Sequence, residues 1–570
     1  MKSNFAHLVA RALAAGVVLT AIGCAEMSPE SSESSGAALT ATTDVGASTQ
    51  SADSSAASGG SANTGFAGTP AKQNGGQPGG AATDESGGIG LKPGGAQDIA
   101  FFRSKLKAKM LPKAADMTLE GFLNEHDTVL PPAQKDRVIS LHALAGVFQP
   151  AGGKPEAVVQ LGLNSAKKLA DVQTSLALTV VIDRSGSMGG QKMADVKAGL
   201  HEMANHLPKG TRLGIVSFAS EVKTSYAAKI IDSGNLPALH QAIDGINADG
   251  GTNIYGGLQE GQKTCFEAGN TFQNKRILFL SDGQATAGNT KHADIVALTK
   301  ATASEGCSVS TVGVGLNFDL KLMTEMAQVG NGTAWFVQNS DHAKAVFVQD
   351  METMLLPVAE KLWMKFSVGD GWKVLDIPGF EWAIEGNKVT ITGTKKATAT
   401  TTPEGGNPPP QTDPTAKVAM PTLFASKKNG IVMLRLQAPD SIDPNKFSGL
   451  LLSTVEYGYS IAKTGAQESF AVPVQVPGLT AIPDGGWGYF QSPIVRRTFV
   501  LLHVGMDLID ACKLLEAGQK ESAIAIIDAS TKLVAGQVKE GGAELAAVDK
   551  TAPDLADAAQ LLADLKSLIP

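Results

Sequence analysis

The residues best suited to chemistry in this chain carry oxygen and come in three short pieces. Asp183-Arg184-Ser185-Gly186-Ser187 follows an apolar run, Thr252 stands in Gly250-Gly251-Thr252-Asn253, and Asp282 stands in Leu280-Ser281-Asp282-Gly283. Side chains two apart in an extended segment point the same way, so Asp183, Ser185 and Ser187 converge while Arg184 and Gly186 face elsewhere. The helix entered at Gly189 to Met193 turns the positive end of its dipole toward that point, which favours the Asp183 carboxylate. All five are hard ligands. Hydroxyls with one or two carboxylates leave positions open for water or a partner, which suits octahedral Mg²⁺ or Mn²⁺ better than zinc.

Three other patterns carry less. His201-Glu202 followed by His206 resembles a zinc protease helix, but the histidines are five apart, about 140° round the helix, so they cannot share one metal. Gly186-Ser187-Met188-Gly189 lacks the Gly-x-Ser-x-Gly order of a hydrolase elbow, which leaves Ser187 as a ligand and not a nucleophile. Asn331-Gly332-Thr333 fits the pattern of a glycosylation acceptor, but is expected to be a turn before a strand.

The elements that must position the five oxygens alternate regularly. Strands are expected at Leu176 to Ile182, Arg212 to Phe218, Arg276 to Leu280, Ser308 to Val314 and Ala334 to Val337. Between them, Met193, Val196, Leu200, Met203 and Leu207 recur at helical spacing. Further helices are expected around Leu236 to Ile246, Ile254 to Ala268, His292 to Ser304 and Asp319 to Gln328, with a long one from His342. Such alternation implies a doubly wound, mostly parallel α/β sheet whose ligands lie at the carboxyl ends of the strands.

With the elements in place, the five positions resemble the metal-ion-dependent adhesion site of von Willebrand factor type A domains. That pattern is Asp-x-Ser-x-Ser, then a Thr in a Gly-rich loop, then an Asp after a strand. The resemblance covers about residues 173–362, a third of the chain. It implies a Mg²⁺ (or Mn²⁺) site that keeps one position for a carboxylate from a partner protein, in a module that binds and does not catalyse. It also implies that the strand after Cys265 lies beside the strand that Cys307 begins, at the edge of the sheet opposite the metal. There the two cysteines either form a disulfide or remain unpaired small hydrophobes. Cys512 is expected as a buried thiol.

The flanks are of another kind. Lys2 and Arg11, the apolar stretch Ala12 to Ile22 and Gly23-Cys24 form a charged and then hydrophobic leader. Gly, Ala, Ser and Thr supply 45 of the 66 residues from 25 to 90, too few apolar groups to offset chain entropy, so 25–97 is expected as a disordered tether. Leader, cysteine and tether together resemble a bacterial lipoprotein, with 1–24 the signal peptide and Cys24 the lipidated residue. Ala25 in place of Asp resembles sorting to the outer membrane. A helix over Ile99 to Met110 and strands at Val138 to Phe148 and Ala157 to Leu163 make up 98–172, with no partners nearby. Beyond 362 strands return: around Val389 and Ile391, Ile431 to Leu436, Leu450 to Ile461 and Phe470 to Val476, with a Thr/Pro-rich loop over 394–417. The simplest multidomain arrangement pairs both flanks, 98–172 and 363–495, in one β-sandwich into which the α/β domain is inserted. Residues 496–570 read as a helical C-terminal region whose apolar faces pack together or on the sandwich.

Composition narrows the function further. The 570 residues carry a formal charge of −7, with no basic excess to neutralise phosphates, so nucleic acid is not an expected partner. After residue 24 no stretch approaches the roughly 20 apolar residues of a membrane span, which leaves the N-terminal lipid as the expected membrane contact. The expected function is a lipid-tethered, divalent-metal-dependent protein-binding module of the cell envelope, not an enzyme. The alternatives are a structural envelope protein whose metal stabilises the domain, or an enzyme with its chemistry in the flanks.

Overall fold

The computed structural model describes residues 89–148, 155–172, 174–339, 342–343, 346–347, 356–369, 371–378, 380–385, 388–394, 422–426, 429–439, 452–474, 488–549 and 554–570. Cys24, the leader, most of the expected tether and residues 395–417 of the expected loop lie outside these. Among the described residues no helix is long and apolar enough to cross a membrane.

Nineteen strands are described. They are β1 (Ile89–Pro93), β2 (Gly95–Ala96), β3 (Ser140–Phe148), β4 (Glu156–Ser165), β5 (Leu176–Asp183), β6 (Arg212–Phe218), β7 (Val222–Ile230), β8 (Asn274–Ser281), β9 (Cys307–Val314) and β10 (Thr333–Val337). They continue with β11 (Pro357–Val368), β12 (Lys373–Asp376), β13 (Phe380–Glu385), β14 (Lys388–Thr394), β15 (Leu423–Ser426), β16 (Gly430–Gln437), β17 (Leu452–Ile461), β18 (Gln467–Pro473) and β19 (Tyr489–Phe490). The helices that matter below are α1 (Ala100–Lys107), α2 (Leu119–Glu125), α3 (Gln191–His206), α4 (Leu236–Asp244), α5 (Ile254–Phe266), α6 (His292–Ser304), α7 (Leu320–Val329), α8 (Pro493–Glu516), α9 (Lys520–Val548) and α10 (Asp554–Ser567).

One sheet has the order β2-β10-β9-β8-β5-β6-β7, and only β7 runs antiparallel to its neighbour. Its central strands are covered on both faces, so they read as unbroken apolar runs; all eight residues of β5 are buried. Strand alternation divides them. Leu176, Leu178, Val180 and Ile182 face α3 and α4, where Val196, Leu200, Leu239 and Ile243 are fully buried. Val181, Ile277 and Phe279 face the other way, onto Ile254 and Leu258 of α5, Ile295 of α6 and Met326 of α7. Of the expected helix from His342, Ala343, Val346 and Phe347 are described and pack with the α3 side.

The strands without local partners find them far along the chain. β4 pairs with β3 and, antiparallel, with β16 some 270 residues later: Leu161 lies opposite Val432 and Val159 opposite Leu434. β1 pairs with β15 and β4, and β11 with β14, β15 and β17, so strands on both sides of the α/β unit share one twelve-stranded sheet. Alternation works here too. Val159, Val432 and Leu434 enter a core with Leu141, Met364 and Tyr457, while Val158, Ile431 and Met433 turn outward against α8 to α10.

Two boundaries and one strand differ from the sequence reading. The chain is strand from Ile89, inside the expected tether, because β1 and β2 take their partners from residues beyond 160 and so leave no local signature. It crosses between sheets at Gly94 and Gly95, with φ of 99° at Gly95, a backbone state open to glycine. The α/β unit ends before residue 362, since β11 already starts at Pro357 in the other sheet. β7 was missed: its largely polar, exposed edge carries no apolar run.

Cys265 at the end of α5 and Cys307 at the start of β9 are joined as a disulfide, with Cα atoms 6.5 Å apart. Cys512 is a buried free thiol that burial pushes up to about 12.

Glu120, in the first turn of α2, is buried beside Gly95, and its Oε1 has no hydrogen-bond partner. Burial pushes its carboxyl from 4.5 up to about 8, with Gln328 opposing. The folded protein therefore keeps a proton that the unfolded chain loses, and stability falls as pH rises from about 4.5 towards 8. We expect Glu120→Gln to match the wild type near pH 4.5 and to exceed it by about 1–3 kcal/mol near pH 8.5. Thermal melts at the two pH values check this; equal pH slopes in both proteins would count against it.

Candidate metal centre

β5 and β8 are adjacent and parallel, with Ile182 opposite Leu280. That register brings Asp183 beside Ser281 and makes Asp282 its neighbour across the carboxyl edge of the sheet. Ser281 Oγ donates to Asp183 Oδ2 at 2.6 Å, and the Ser185 backbone N–H donates to Asp183 Oδ1 at 2.8 Å. After Ser185 the chain makes one short turn, Gly186–Met188, before α3 begins. The turn carries Ser187 back over the site, where its Oγ lies 3.0 Å from Ser185 Oγ and donates to Asp282 Oδ1 at 2.8 Å.

Thr252 arrives from the loop before α5. Its N–H donates to Thr286 Oγ1 and its carbonyl accepts from the N–H groups of Thr286 and Ala287. Backbone bonds from Gly186 N to Gly250 O, 2.9 Å, and from Asp249 N to Arg184 O, 2.7 Å, tie this loop to the first one. A side chain added at Gly283 would lie 3.6 Å from Ser187 Oγ and 3.7 Å from Thr252 Oγ1, so both hydroxyls face the Asp282-Gly283 turn. The structure thus gathers Asp183, Ser185, Ser187, Thr252 and Asp282 at one edge. Asp183, Ser185, Thr252 and Asp282 are buried and Ser187 is exposed, so the cluster opens to solvent on the Ser187 side.

Sequence reasoning missed Lys192. From the first turn of α3 its Nζ donates to Asp282 Oδ2 at 2.5 Å and to the Ser187 carbonyl at 3.2 Å. The available signal was electrostatic: a lysine in a helix's first turn opposes the dipole unless an acid is close by. Two buried carboxylates are offset here by this single ammonium only in part. Burial, and to a lesser extent the charge of Asp282, push the Asp183 carboxyl up against the hydrogen bonds from Ser281 and Ser185. The oxygen-only donor set and its remaining negative charge fit a small hard divalent cation such as Mg²⁺ or Mn²⁺. Among the described residues no group of three or more His, Cys, Asp or Glu gathers to hold a metal, and this cluster has two carboxylates.

The other singled-out residues lie elsewhere. His206 Nδ1 turns to the Glu202 carbonyl at 2.8 Å, away from His201. Asn331, with φ of 52°, forms the turn before β10. Cys265 and Cys307 lie at the opposite edge of the sheet.

Residues 177–350 match the sequence model of the von Willebrand factor type A domain. This segment is a von Willebrand factor type A domain. Such domains are generally protein-interaction or adhesion modules. The chain is similar to the uncharacterized protein YfbK of Escherichia coli (strain K12), at 27% identity over 201 residues, which takes in 34% of each chain. It is also similar to inter-alpha-trypsin inhibitor heavy chain H1 of Homo sapiens, at 28% identity over 163 residues, 27% of this chain and 18% of that one. It therefore spans about a third of the first relative and less than a fifth of the second. A solved von Willebrand factor type A protein from Catenulispora acidiphila aligns over 72% of this chain and 89% of its own, with 13% identity and a TM-score of 0.48.

Asp183→Ala is expected to abolish Mg²⁺ and Mn²⁺ binding by the von Willebrand factor type A domain while the fold persists. Lys192→Met is expected to tighten Mg²⁺ binding at least about ten-fold, because repulsion between an ammonium and a divalent ion sharing Asp282 amounts to several kcal/mol. The charged hydrogen bond lost contributes only about 1.5–3 kcal/mol. Titration calorimetry reads both. Unchanged affinity in the first variant would remove the site, and unchanged or weaker affinity in the second would remove the competition.

Proposed function

We propose that the von Willebrand factor type A domain is a divalent-metal-dependent protein-binding module of adhesion type, carried by a lipid-tethered envelope protein and lacking enzymatic activity of its own. The observation that carries this reading is the convergence of Asp183, Ser185, Ser187, Thr252 and Asp282 on one edge, closed by packing beneath and open on the Ser187 side. Asp183, Ser185, Ser187, Thr252 and Asp282 would hold Mg²⁺ (or Mn²⁺), and the ion would supply Lewis acidity toward a partner's carboxylate. Ser281 and the Ser185 N–H orient Asp183, and the ties between the 184–186 and 249–250 segments keep the two loops in register. Lys192 neutralises Asp282 and adds a second cationic group for an acidic partner.

The finer architecture belongs to the same proposal: the α/β domain is inserted into a β-sandwich formed by both flanks. The pairing of β4 with β16 and of β1 with β15 supports this. The envelope location rests on the leader, Cys24 and the Gly/Ala/Ser/Thr-rich stretch, with outer-membrane sorting suggested by Ala25.

Two experiments test the reading. Pull-down from envelope extract in Mg²⁺ is expected to retain an acidic protein that EDTA releases and Asp183→Ala fails to retain; retention indifferent to both would leave the metal a stabilising role only. For the anchor, Cys24→Ser is expected to move the protein from the detergent phase to the aqueous phase on detergent partitioning, since only a thiol there accepts the diacylglycerol. Equal partitioning of the two proteins would refute the lipoprotein assignment.

A further inference from the structure

The histidine pattern set aside in the sequence acquires a different partner in three dimensions. His201 on α3 faces His240 on α4, with their Nδ1 atoms 2.6 Å apart. The ring centroids are 4.9 Å apart, about that gap plus two ring radii, so the rings meet nitrogen to nitrogen and their faces do not overlap.

The outer nitrogens are tied off reciprocally. His201 Nε2 lies 2.9 Å from Asp244 Oδ1, one helix lending the acceptor for the other's histidine, and His240 Nε2 lies 3.1 Å from Asn205 Oδ1. On each helix the histidine and the acceptor are four residues apart, on one face. Leu200, Met203, Leu239 and Ile243 are buried beneath the pair and hold the helices together.

The chemistry follows from proton placement. A carboxylate and an amide oxygen only accept, so each Nε2 carries the hydrogen, and a neutral imidazole then has a lone pair at Nδ1. Two lone pairs would point at each other across 2.6 Å. A shared proton or a metal ion between them relieves this, as does turning the Asn205 amide so that His240 carries its hydrogen at Nδ1.

We propose that His201 and His240 form a second cation site, which takes a borderline divalent transition metal through both Nδ1 atoms. Zn²⁺, Ni²⁺ and Cu²⁺ favour imidazole, whereas Mg²⁺ and Mn²⁺ favour oxygen, so the two sites differ in the ion they select. Asp244 and Asn205 fix the tautomer and orient the rings, as outer partners of metal-bound histidines do. Tetrahedral coordination with bonds of about 2.0–2.1 Å requires the nitrogens to part to roughly 3.3 Å, within reach of partly exposed side chains. Metal entry displaces at most the one proton the nitrogens share, and water completes the shell. His206 takes no part.

The test uses the full chain carrying Asp183→Ala, which silences the oxygen site. Titration with Zn²⁺ is expected to give one equivalent bound, weakened at least ten-fold by either His201→Gln or His240→Gln and about 10- to 100-fold by Asp244→Ala. Circular dichroism shows whether each variant keeps the helices. A readout free of further substitution is the electron paramagnetic resonance of one equivalent of Cu²⁺, in which two nitrogen ligands are expected. The proposal is overturned if the Asp183→Ala chain takes up no Zn²⁺, if both glutamine variants bind it unchanged, or if Cu²⁺ shows no nitrogen ligands.

Discussion

Asp183 and Asp282 stand side by side at the ends of neighbouring parallel strands, both almost out of reach of water, and the loops of the α/β domain are arranged around that juxtaposition. Two carboxylates so placed repel each other and lose hydration, which is tolerable only if donors and cations replace the water. Ser281, the Ser185 N–H, Ser187 and Lys192 are those replacements. They compensate incompletely: one ammonium against two acids leaves a charge deficit that an ion of the right size can fill. The site is thus held by repulsion that the fold forbids from relaxing, since the parallel β5–β8 pairing cannot move the two acids apart without unzipping the centre of the sheet.

The opposite end of the same sheet is where it meets the rest of the molecule. Arg276, near the start of β8, is wholly buried, and its guanidinium lies 4.7 Å from the Phe424 ring of β15. Burial lowers its pKa to about 10, with Glu360 opposing. β2 adds to this sheet directly after β1 has paired in the other, with only Gly94 between the two strands. The disulfide between Cys265 and Cys307 also closes that end. The carboxyl edge is left open on the Ser187 side, while the amino edge is tied to the twelve-stranded sheet.

Much of this was readable from the chain because the relevant signals are local. The unbroken apolar run of β5 and the 3,4 spacing along α3 follow from burial on two faces of a parallel sheet. Asp183 and Asp282 sit at strand ends, where period-two alternation already puts Asp183 and Ser185 on one side, while Ser187 is brought by the turn Gly186–Met188 and Thr252 by the loop before α5. β7 went unseen because an exposed edge strand needs no apolar residues, and β1 because a strand lying in a Gly-rich stretch is specified by its distant partners. Lys192 was in plain view as a residue, but its role depends on the turn Gly186–Met188 bringing α3 back over Asp282.

The alternating α/β plan, the oxygen chemistry of the site and the distinct character of the flanks can be read from residue order alone, because periodicity and residue type act within a few positions. The strand pairing across some 270 residues, the bond from Lys192 to Asp282 and the meeting of His201 with His240 in place of His206 emerge with the folded molecule. Each of those depends on how two elements far apart in the chain pack, and packing is set by the summed burial of both sheets, a quantity that no short stretch of sequence contains.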